Sequence, residues 1–194
     1  MTITAQELNS YIRSRKSTKP EQFTRKAEIP RDILNSMLEN AIWAPSHKKT
    51  QPWLFKVFEA RGLERLSEYM GDYYKKTTPE SLYSENKFQQ ALAKPLKSSC
   101  VIAICFKPNP ESGLPEWEEL AAIACAVENF WLSLEVNGLA GFWSTPKSML
   151  EADSFLNLNA GERCLGVFYV GYAGPSDVQR KRTSLEDKVT WISQ

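Results

Sequence analysis

The stretch APSHKKTQPW, residues 44–53, separates a helical pattern from a strand-like pattern and decides how the first part of the chain is built. Before it, Pro30 suits the first turn of a helix, and apolar residues follow at helical spacing. After it, WLFKVFE at 53–59 is typical of a buried strand. Pro45 ends the helix, so the stretch is predicted to be a loop. This loop carries His47, the chain's single histidine, beside two lysines.

Two further stretches look like buried strands. CVIAICF at 100–106 and CLGVFYVGY at 164–172 are rich in Val, Ile and aromatic residues. Helical patterns separate the strands, at 62–76, at 79–97 with a break at Pro95, and at 116–137. Because the chain has no internal repeat and no linker, these patterns predict one α+β domain over residues 1–194.

The N-terminus has the pattern of a capped helix. Thr4 and Glu7 stand at the spacing of a capping box, in which each residue satisfies a backbone N–H of the other. The apolar residues that follow predict a helix with Leu8, Tyr11 and Ile12 on its buried face.

The helix predicted over 116–137 is apolar nearly all round. Leu120, Ile123, Val127, Phe130 and Leu134 form its main stripe, and small or apolar residues such as Ala121, Ala124, Cys125 and Trp131 occupy most of the opposite side. A helix of this kind is buried on every side. The pattern leaves two interpretations open, the centre of the core and a subunit interface.

The composition excludes several classes of function. The chain has 24 basic and 23 acidic side chains, so its balance does not favour nucleic acid or a membrane surface as a partner. No apolar run is long enough to cross a membrane and the N-terminus lacks a signal-peptide pattern, which predicts a cytoplasmic protein. The four cysteines contain no C-x-x-C pair, so buried free thiols are expected. One histidine leaves little to hold a metal ion, and no metal site is expected.

Basic residues form three groups that are far apart in sequence: Arg15, Lys16 and Lys19; Lys48 and Lys49; and RKR at 180–182. One interpretation is that they are solvated loop residues. The other is that groups from both ends of the chain converge on a phosphate, because Arg and hydroxyl groups such as that of Ser17 satisfy its oxygens. Neither G-x-x-x-x-G-K-[ST] nor G-x-G-x-x-G is present, so these two phosphate motifs do not explain the groups.

Four stretches together resemble the nitroreductase family of flavin mononucleotide (FMN) enzymes in their order and approximate spacing. They are RKSTK at 15–19, APSHKKTQPW at 44–53, GFWST at 141–145, and RKR at 180–182 followed by SLEDKVTW. The resemblance is closest to the short members of the family. It implies a central, mixed but mostly antiparallel sheet flanked by helices, in an intertwined homodimer with the flavin at the interface. An interface position for the helix over 116–137 agrees with this.

The resemblance also implies which residues hold the flavin phosphate. Arg15, Lys16 and Ser17 match the family's Arg-x-Ser triplet. Arg180, Arg182 or both match a basic position near the C-terminus. This would explain why both ends of the chain are basic.

Lys19 matches a family position that faces the N1 and C2 carbonyl edge of the flavin ring. Negative charge accumulates there on reduction, so a fixed cation favours the reduced state. PEQ at 20–22 is extra relative to the family and predicts that the segment after Lys19 is displaced.

The remaining implied contacts surround the flavin ring. His47 and Gln51 match positions that contact the flavin from a loop, although a surface histidine is the other interpretation of His47. The segment beside the ring is matched by Trp143, Ser144 and Thr145. For Trp143, core packing is the alternative.

The implied function is hydride transfer from NADH or NADPH through FMN to a nitroaromatic, a quinone or a similar acceptor, in a ping-pong scheme. The protein would supply phosphate anchoring, ring orientation and charge near N1. The alternatives are a non-catalytic flavin carrier and a relative that dehalogenates its substrate or fragments the flavin. The substrate-covering segment is placed around 72–96.

Overall fold

The structure is a computed structural model that describes residues 2–25, 27–174 and 181–193. In these residues the helices are α1 (Ala5–Ser14), α2 (Arg31–Ile42), α3 (Arg61–Thr77), α4 (Glu85–Lys97), α5 (Glu116–Val136) and α6 (Lys147–Leu150). The strands are β1 (Phe23–Arg25), β2 (Trp53–Phe58), β3 (Cys100–Phe106), β4 (Ala140–Ser144) and β5 (Arg163–Ala173). None of the helices in this part of the chain is both long enough and apolar enough to cross a membrane.

All five described strands belong to one sheet. β3 lies between β2 and β5, and β4 and β1 also pair with β5. Every one of these pairs is antiparallel, and a parallel bridge joins Ser17 to Gly141. The predicted α+β class, with a mostly antiparallel sheet flanked by helices, is therefore confirmed.

β3 is the centre of the core because both of its faces are covered. All seven of its residues are buried. Successive side chains of a strand point to opposite faces. Ile102 and Ile104 accordingly pack with residues of α2 and α5, whereas Val101 and Ala103 pack with residues of α3 and α6. This two-sided burial explains the uninterrupted apolar run that predicted the strand.

α1 has the predicted start but lacks the predicted buried face. Thr4 and Glu7 form the capping box. However, Leu8 and Ile12 are about half exposed, at 48% and 49%, and Tyr11 is partly buried, so the prediction of a buried stripe is wrong for the single chain. The pattern is amphipathic, but the residues that the structure describes leave most of the apolar face of α1 uncovered.

The region predicted as one helix over 79–97 consists of two elements. A 3-10 turn at Glu80–Leu82 precedes α4, which begins after Ser84. The Ser84 side chain accepts a hydrogen bond from the backbone N–H of Lys87 and caps the helix. Pro95 lies inside the last turn of α4.

α5 has one face in the core and an apolar face outside it. Ile123, Val127 and Phe130 are buried against the sheet. Trp117 is 67% exposed, and Ala121, Ala124 and Cys125 are exposed as well. In the single chain, α5 is therefore covered on one side.

Candidate functional site

Residues 15–19, here called the arm, run beside β4. α1 ends at Ser14, and the chain continues in an extended conformation from Arg15. The backbone N–H of Thr18 donates to the carbonyl oxygen of Gly141 at 2.9 Å, next to the Ser17–Gly141 bridge. The indole N–H of Trp131 donates to the carbonyl oxygen of Lys16 at 3.0 Å. The arm is thus fixed to β4 and α5 by backbone groups.

Gly141 is the residue that lets β4 fit between the arm and the core. A Cβ at this position would lie 2.1 Å from Cε1 of Phe168 and 2.9 Å from Cδ1 of Leu134. Real Cβ contacts are never that close, so a larger residue would have to move buried aromatic and aliphatic side chains.

The guanidinium of Arg15 has defined partners. Its Nε lies 3.4 Å from Oε1 of Glu128, and its Cζ lies 4.5 Å from the centre of the Trp131 ring. The Arg15 side chain is 17% exposed. An arginine held in this way is preorganised for a planar, bidentate contact with an anion.

The end of β4 carries the predicted ring-contacting residues. Trp143 and Ser144 are half-buried, and Thr145 is exposed. The indole Nε1 of Trp143 is buried and has no hydrogen-bond partner among the described residues. Buried donors are nearly always satisfied in native proteins, so an acceptor supplied by a ligand would resolve this one. Trp143 also packs against the core, as the alternative interpretation expected.

A cavity of about 470 Å³ opens between α3, α4 and the end of β4. Its volume lies within the range of about 300–1,000 Å³ that is usual for small-molecule sites. Ser144 and Lys147 line one side. Apart from Met70, the α3 and α4 residues that line it, including Tyr73, fall in the predicted substrate-covering segment of 72–96.

Sequence reasoning missed the polar residues that α4 contributes to this cavity, namely Lys87, Gln90 and Lys94. Their spacing of three and four residues places them on one face of the helix. The sequence shows this spacing, but a polar helix face usually faces solvent. Only the cavity distinguishes this face as one that lines a candidate site.

The 3-10 turn Pro20–Gln22 shows how the chain accommodates the extra residues after Lys19. The turn packs against α4, and the backbone N–H of Lys19 donates to Oε1 of Gln22 at 3.1 Å. Lys19 itself is exposed. The arm therefore leads from β4 to α4, and these two elements also form walls of the cavity.

Tyr73, which lines the cavity, is hydrogen-bonded to a carboxylate that is not part of the lining. The hydroxyl of Tyr73 donates to the carboxylate of Glu151. This bond raises the pKa of Tyr73 and lowers the pKa of Glu151, since it stabilises the neutral phenol and the ionised carboxylate together. Lys147 also pairs with Glu151, at 3.4 Å.

Residues 44–52, here called the histidine loop, are held by the start of α5 and by the turn that precedes it. Nδ1 of His47 lies 2.6 Å from Oε2 of Glu118, and Nζ of Lys48 donates to the carbonyl oxygen of Ser112 at 2.6 Å. Glu118 is a partner that sequence reasoning did not find, because the two residues are 71 positions apart.

The backbone of the histidine loop is strained. Lys48, Lys49 and Gln51 have φ values of 51°, 55° and 48°, in the region that side chains other than glycine rarely adopt. The hydroxyl Oγ1 of Thr50 is buried and has no hydrogen-bond partner among the described residues. Clusters of this kind are more frequent at ligand sites than elsewhere.

The structure brings together the arm and β4 but not the arm and the histidine loop. Arg15 contacts Glu128 and His47 contacts Glu118, ten residues earlier on α5, which is about 15 Å along the helix axis. Arg182 lies in an exposed tail, and Arg180 is outside the described residues. Arg15, Lys16, Ser17 and Lys19 thus belong to the segment that pairs with Gly141, two residues before Trp143, whereas His47 and Gln51 belong to a loop that is held at a different part of α5.

Taken together, the fold and the site define an α+β protein in which a basic arm lies beside a small-molecule cavity. The chain belongs to the nitroreductase family, whose sequence model matches residues 12–172. The family expected from the sequence is confirmed, and with it the expectation that the chain is an oxidoreductase.

Known relatives and solved structures agree with this assignment. The Bacillus subtilis protein provisionally named NAD(P)H nitroreductase YfhC is 25% identical over 186 residues, which cover 94% of this chain and 93% of that protein. A nitroreductase-like family protein from Bacillus cereus has a TM-score of 0.80 at 21% identity and covers 100% of this chain and 99% of that one. An FMN-dependent nitroreductase from Mycobacterium smegmatis in complex with NADPH has a TM-score of 0.76 at 17% identity, covering 97% and 99%.

Proposed function

We propose that the protein is a single-domain FMN enzyme, over residues 1–194, that transfers hydride from NADH or NADPH to a quinone, a nitroaromatic or a similar acceptor. The observation that carries this proposal is the arm docked on β4 beside a cavity of about 470 Å³ with lysines on its α4 wall. Support comes from the family and from the named relatives, one of which was crystallised with NADPH.

The residues present fit the chemistry of FMN. A phosphate needs fixed cationic and hydroxyl donors, and Arg15, Lys16 and Ser17 provide them on the arm. A planar ring with several acceptor atoms suits a buried N–H donor without a partner, and Trp143 has one. The cationic residues Lys87 and Lys94 suit a ring system that gains negative charge.

When bound, FMN supplies the hydride chemistry. The chain's own residues would anchor the phosphate of FMN, orient its ring and polarise the ring edge. Arg15 and Ser17 hold the phosphate, assisted by Arg182 or Arg180 from the C-terminal segment. Lys19 supplies a cation at the edge of the ring where negative charge develops, which lowers the energy of the reduced state. Ser144 and Thr145 flank the ring.

The cavity also favours an alternating scheme. A cavity of about 470 Å³ has the size of one small-molecule site, and we propose that the nicotinamide and the acceptor occupy it in turn. NADH or NADPH would therefore leave before the acceptor enters, which is a ping-pong order.

We further propose a homodimer that completes the site. Trp43, Trp191 and Ile192 are 84%, 84% and 88% exposed in the single chain, together with the outer face of α5. Exposed apolar surface of this extent is typical of a protein interface. A second protomer would cover it and would bring its histidine loop, with His47 and Gln51, to the arm of the first. The described cysteines are all free, which supports the cytoplasm as the proposed location.

The test is anaerobic mixing of the purified protein with NADPH or NADH, followed by a quinone. We expect a yellow dimer with about one FMN per chain, rapid bleaching by the nicotinamide, and recovery of colour on addition of the quinone. Flavin that is bound but not bleached would identify a carrier, and a colourless monomer that takes up no FMN would refute the proposal. Intact FMN after many turnovers would exclude flavin fragmentation.

A further inference from the structure

Two of the four cysteines face each other inside the sheet. Cys105 of β3 and Cys164 of β5 are register partners in an antiparallel pair. Both side chains belong to the core cluster on the α3 and α6 side of the sheet, and they are 0% and 2% exposed. Cys100 is paired with Val170 instead, and Cys125 is exposed on α5. The Cys105–Cys164 pair is therefore the juxtaposed pair among the chain's cysteines.

The backbone geometry at this pair suits a disulfide. Residues directly opposite each other in antiparallel strands have Cα atoms about 4.5–5.5 Å apart. Disulfides bridge Cα atoms that are about 4.4–6.8 Å apart. The side chains of register partners also point to the same face of the sheet. The pairing therefore places Cys105 and Cys164 within reach of a disulfide, beside an irregularity in the register between Ala103 and Cys105.

The hydrogen bonds of the pair distinguish the two sulfur atoms. Sγ of Cys164 accepts a hydrogen bond from the backbone N–H of Gly166 at 3.4 Å, and the Cys164 thiol donates to the Gly166 carbonyl oxygen at 3.3 Å. The facing Cys105 thiol lowers the pKa of Cys164, and the same interaction raises the pKa of Cys105, because a hydrogen bond from Cys105 stabilises a thiolate on Cys164. Cys164 is thus the better nucleophile of the two.

We propose that Cys105 and Cys164 form an oxidation site, at which hydrogen peroxide converts the two thiols into a reversible disulfide within the chain. The Cys164 thiolate attacks one peroxide oxygen, the O–O bond breaks, and hydroxide leaves to give a sulfenic acid. The Cys105 sulfur then attacks the Cys164 sulfur, and the S–OH bond breaks with release of water. Two thiols and one peroxide give one disulfide and two waters.

The position of the pair determines how peroxide reaches the thiols and which part of the sheet the disulfide would fix. Cys105 is next to the last residue of β3 and Cys164 is the second residue of β5. Because both thiols are buried, peroxide reaches them only when these strand ends open locally. Gly166, two residues further on, packs so closely on Ser144 that an added Cβ would lie 2.4 Å from the Ser144 carbonyl oxygen. The disulfide would therefore fix β5 beside the β4 wall of the candidate site. This inference does not depend on flavin binding.

The test is to treat the native, reduced protein with hydrogen peroxide and to map its cysteines by mass spectrometry under non-reducing conditions. We expect a mass loss of about 2 Da, the two thiol hydrogens, and a peptide cross-linked between Cys105 and Cys164. Dithiothreitol should restore both thiols. The matched control is Cys100→Ala, which removes a buried thiol of the same strand and should leave the cross-link intact, whereas Cys105→Ala should abolish it.

Three outcomes would overturn the proposal. They are four free thiols after treatment, a disulfide that involves Cys100 or Cys125, and a sulfinic acid on Cys164 with Cys105 still reduced. The wild-type map decides among these even if Cys105→Ala does not fold. A melting temperature that rises on oxidation and returns with dithiothreitol would support the proposed cross-link.

Discussion

The arm and the histidine loop are two basic segments that differ in how much support they receive from the rest of the protomer. The backbone of the arm is attached to β4 by a hydrogen bond to Gly141 and to α5 by a hydrogen bond from the Trp131 indole, and the Arg15 side chain is largely buried. The histidine loop has three residues with positive φ and a histidine side chain that is 59% exposed. One segment is stabilised by its own chain, and the other holds a strained conformation while facing outward.

The difference indicates what each segment needs from outside the protomer. The arm has its supporting contacts, from β4 and α5, within the same protomer. The histidine loop has support on one side, from Glu118 and Ser112, and follows the exposed residues Ile42 and Trp43. A strained backbone conformation persists only where the surrounding structure holds it in place. We therefore expect the arm to control affinity for the phosphate and the loop to depend on a second protomer.

The largest effect is expected for Arg15→Ala. Loss of its charge-assisted bonds, worth about 1.5–3 kcal/mol, should weaken FMN binding by roughly 10- to 100-fold. Riboflavin, which has no phosphate, should bind the variant and the wild type almost equally. The measurement is fluorescence titration of the apoprotein, with Arg61→Ala, an exposed arginine on α3, as the matched control. Unchanged FMN affinity in Arg15→Ala would remove the arm from the site.

The next effect concerns the packing that positions the arm. Gly141→Ala introduces a Cβ into the space of Phe168 and Leu134, and overpacking of this kind costs about 1–3 kcal/mol of unfolding free energy. Gly62→Ala is the control, because its Cβ would meet the nearest atom at 3.7 Å within a helix. That control should gain about 0.5–1 kcal/mol. Urea denaturation measures both, and equal effects of the two substitutions would contradict the close packing of β4.

These contrasts also show which parts could be predicted from the sequence. β3 was predictable because a strand buried on both faces is apolar throughout, and the start of α1 was predictable because capping is local. The buried face of α1 was predicted wrongly, since an amphipathic stripe looks the same whether its cover belongs to the same chain or to another.

The site was predictable to a smaller extent. The arm and the 143–145 segment were predicted as site residues through a resemblance that rests on short motifs, and their contact with a flavin remains a prediction. Glu118 and Glu128 were not found, because a single carboxylate on a helix carries no sign of a partner that is remote in sequence. Lys87 and Lys94 show a common helix face, but only the cavity distinguishes that face from a solvated one.

A smaller effect, opposite in sign to that of Gly141→Ala, is expected in the histidine loop. Lys49 has a φ of 55°, and a left-handed conformation costs a residue with a side chain about 1–2 kcal/mol. Lys49→Gly should recover part of this cost and raise the unfolding free energy by up to about 1 kcal/mol. Arg65→Gly, within α3, is the control and should lose about 1 kcal/mol. If both substitutions destabilise the protein equally, the loop is not strained.

The smallest effect is expected for Lys19→Met, which separates redox tuning from binding. A cation near the N1 edge interacts more strongly with the anionic, reduced flavin than with the neutral, oxidised flavin, so its removal should lower the midpoint potential. Lys19 is exposed, and water screens its charge. An exposed contact of about 0.2–1 kcal/mol corresponds to a fall of about 4–20 mV for a two-electron couple.

Affinity for oxidised FMN should change far less than in Arg15→Ala, because the lost attraction is mainly to charge that develops on reduction. Spectroelectrochemical titration of both proteins with FMN bound decides the question. An unchanged potential would mean that the turn at Pro20–Gln22 holds Lys19 away from the ring and leaves it a solvated lysine.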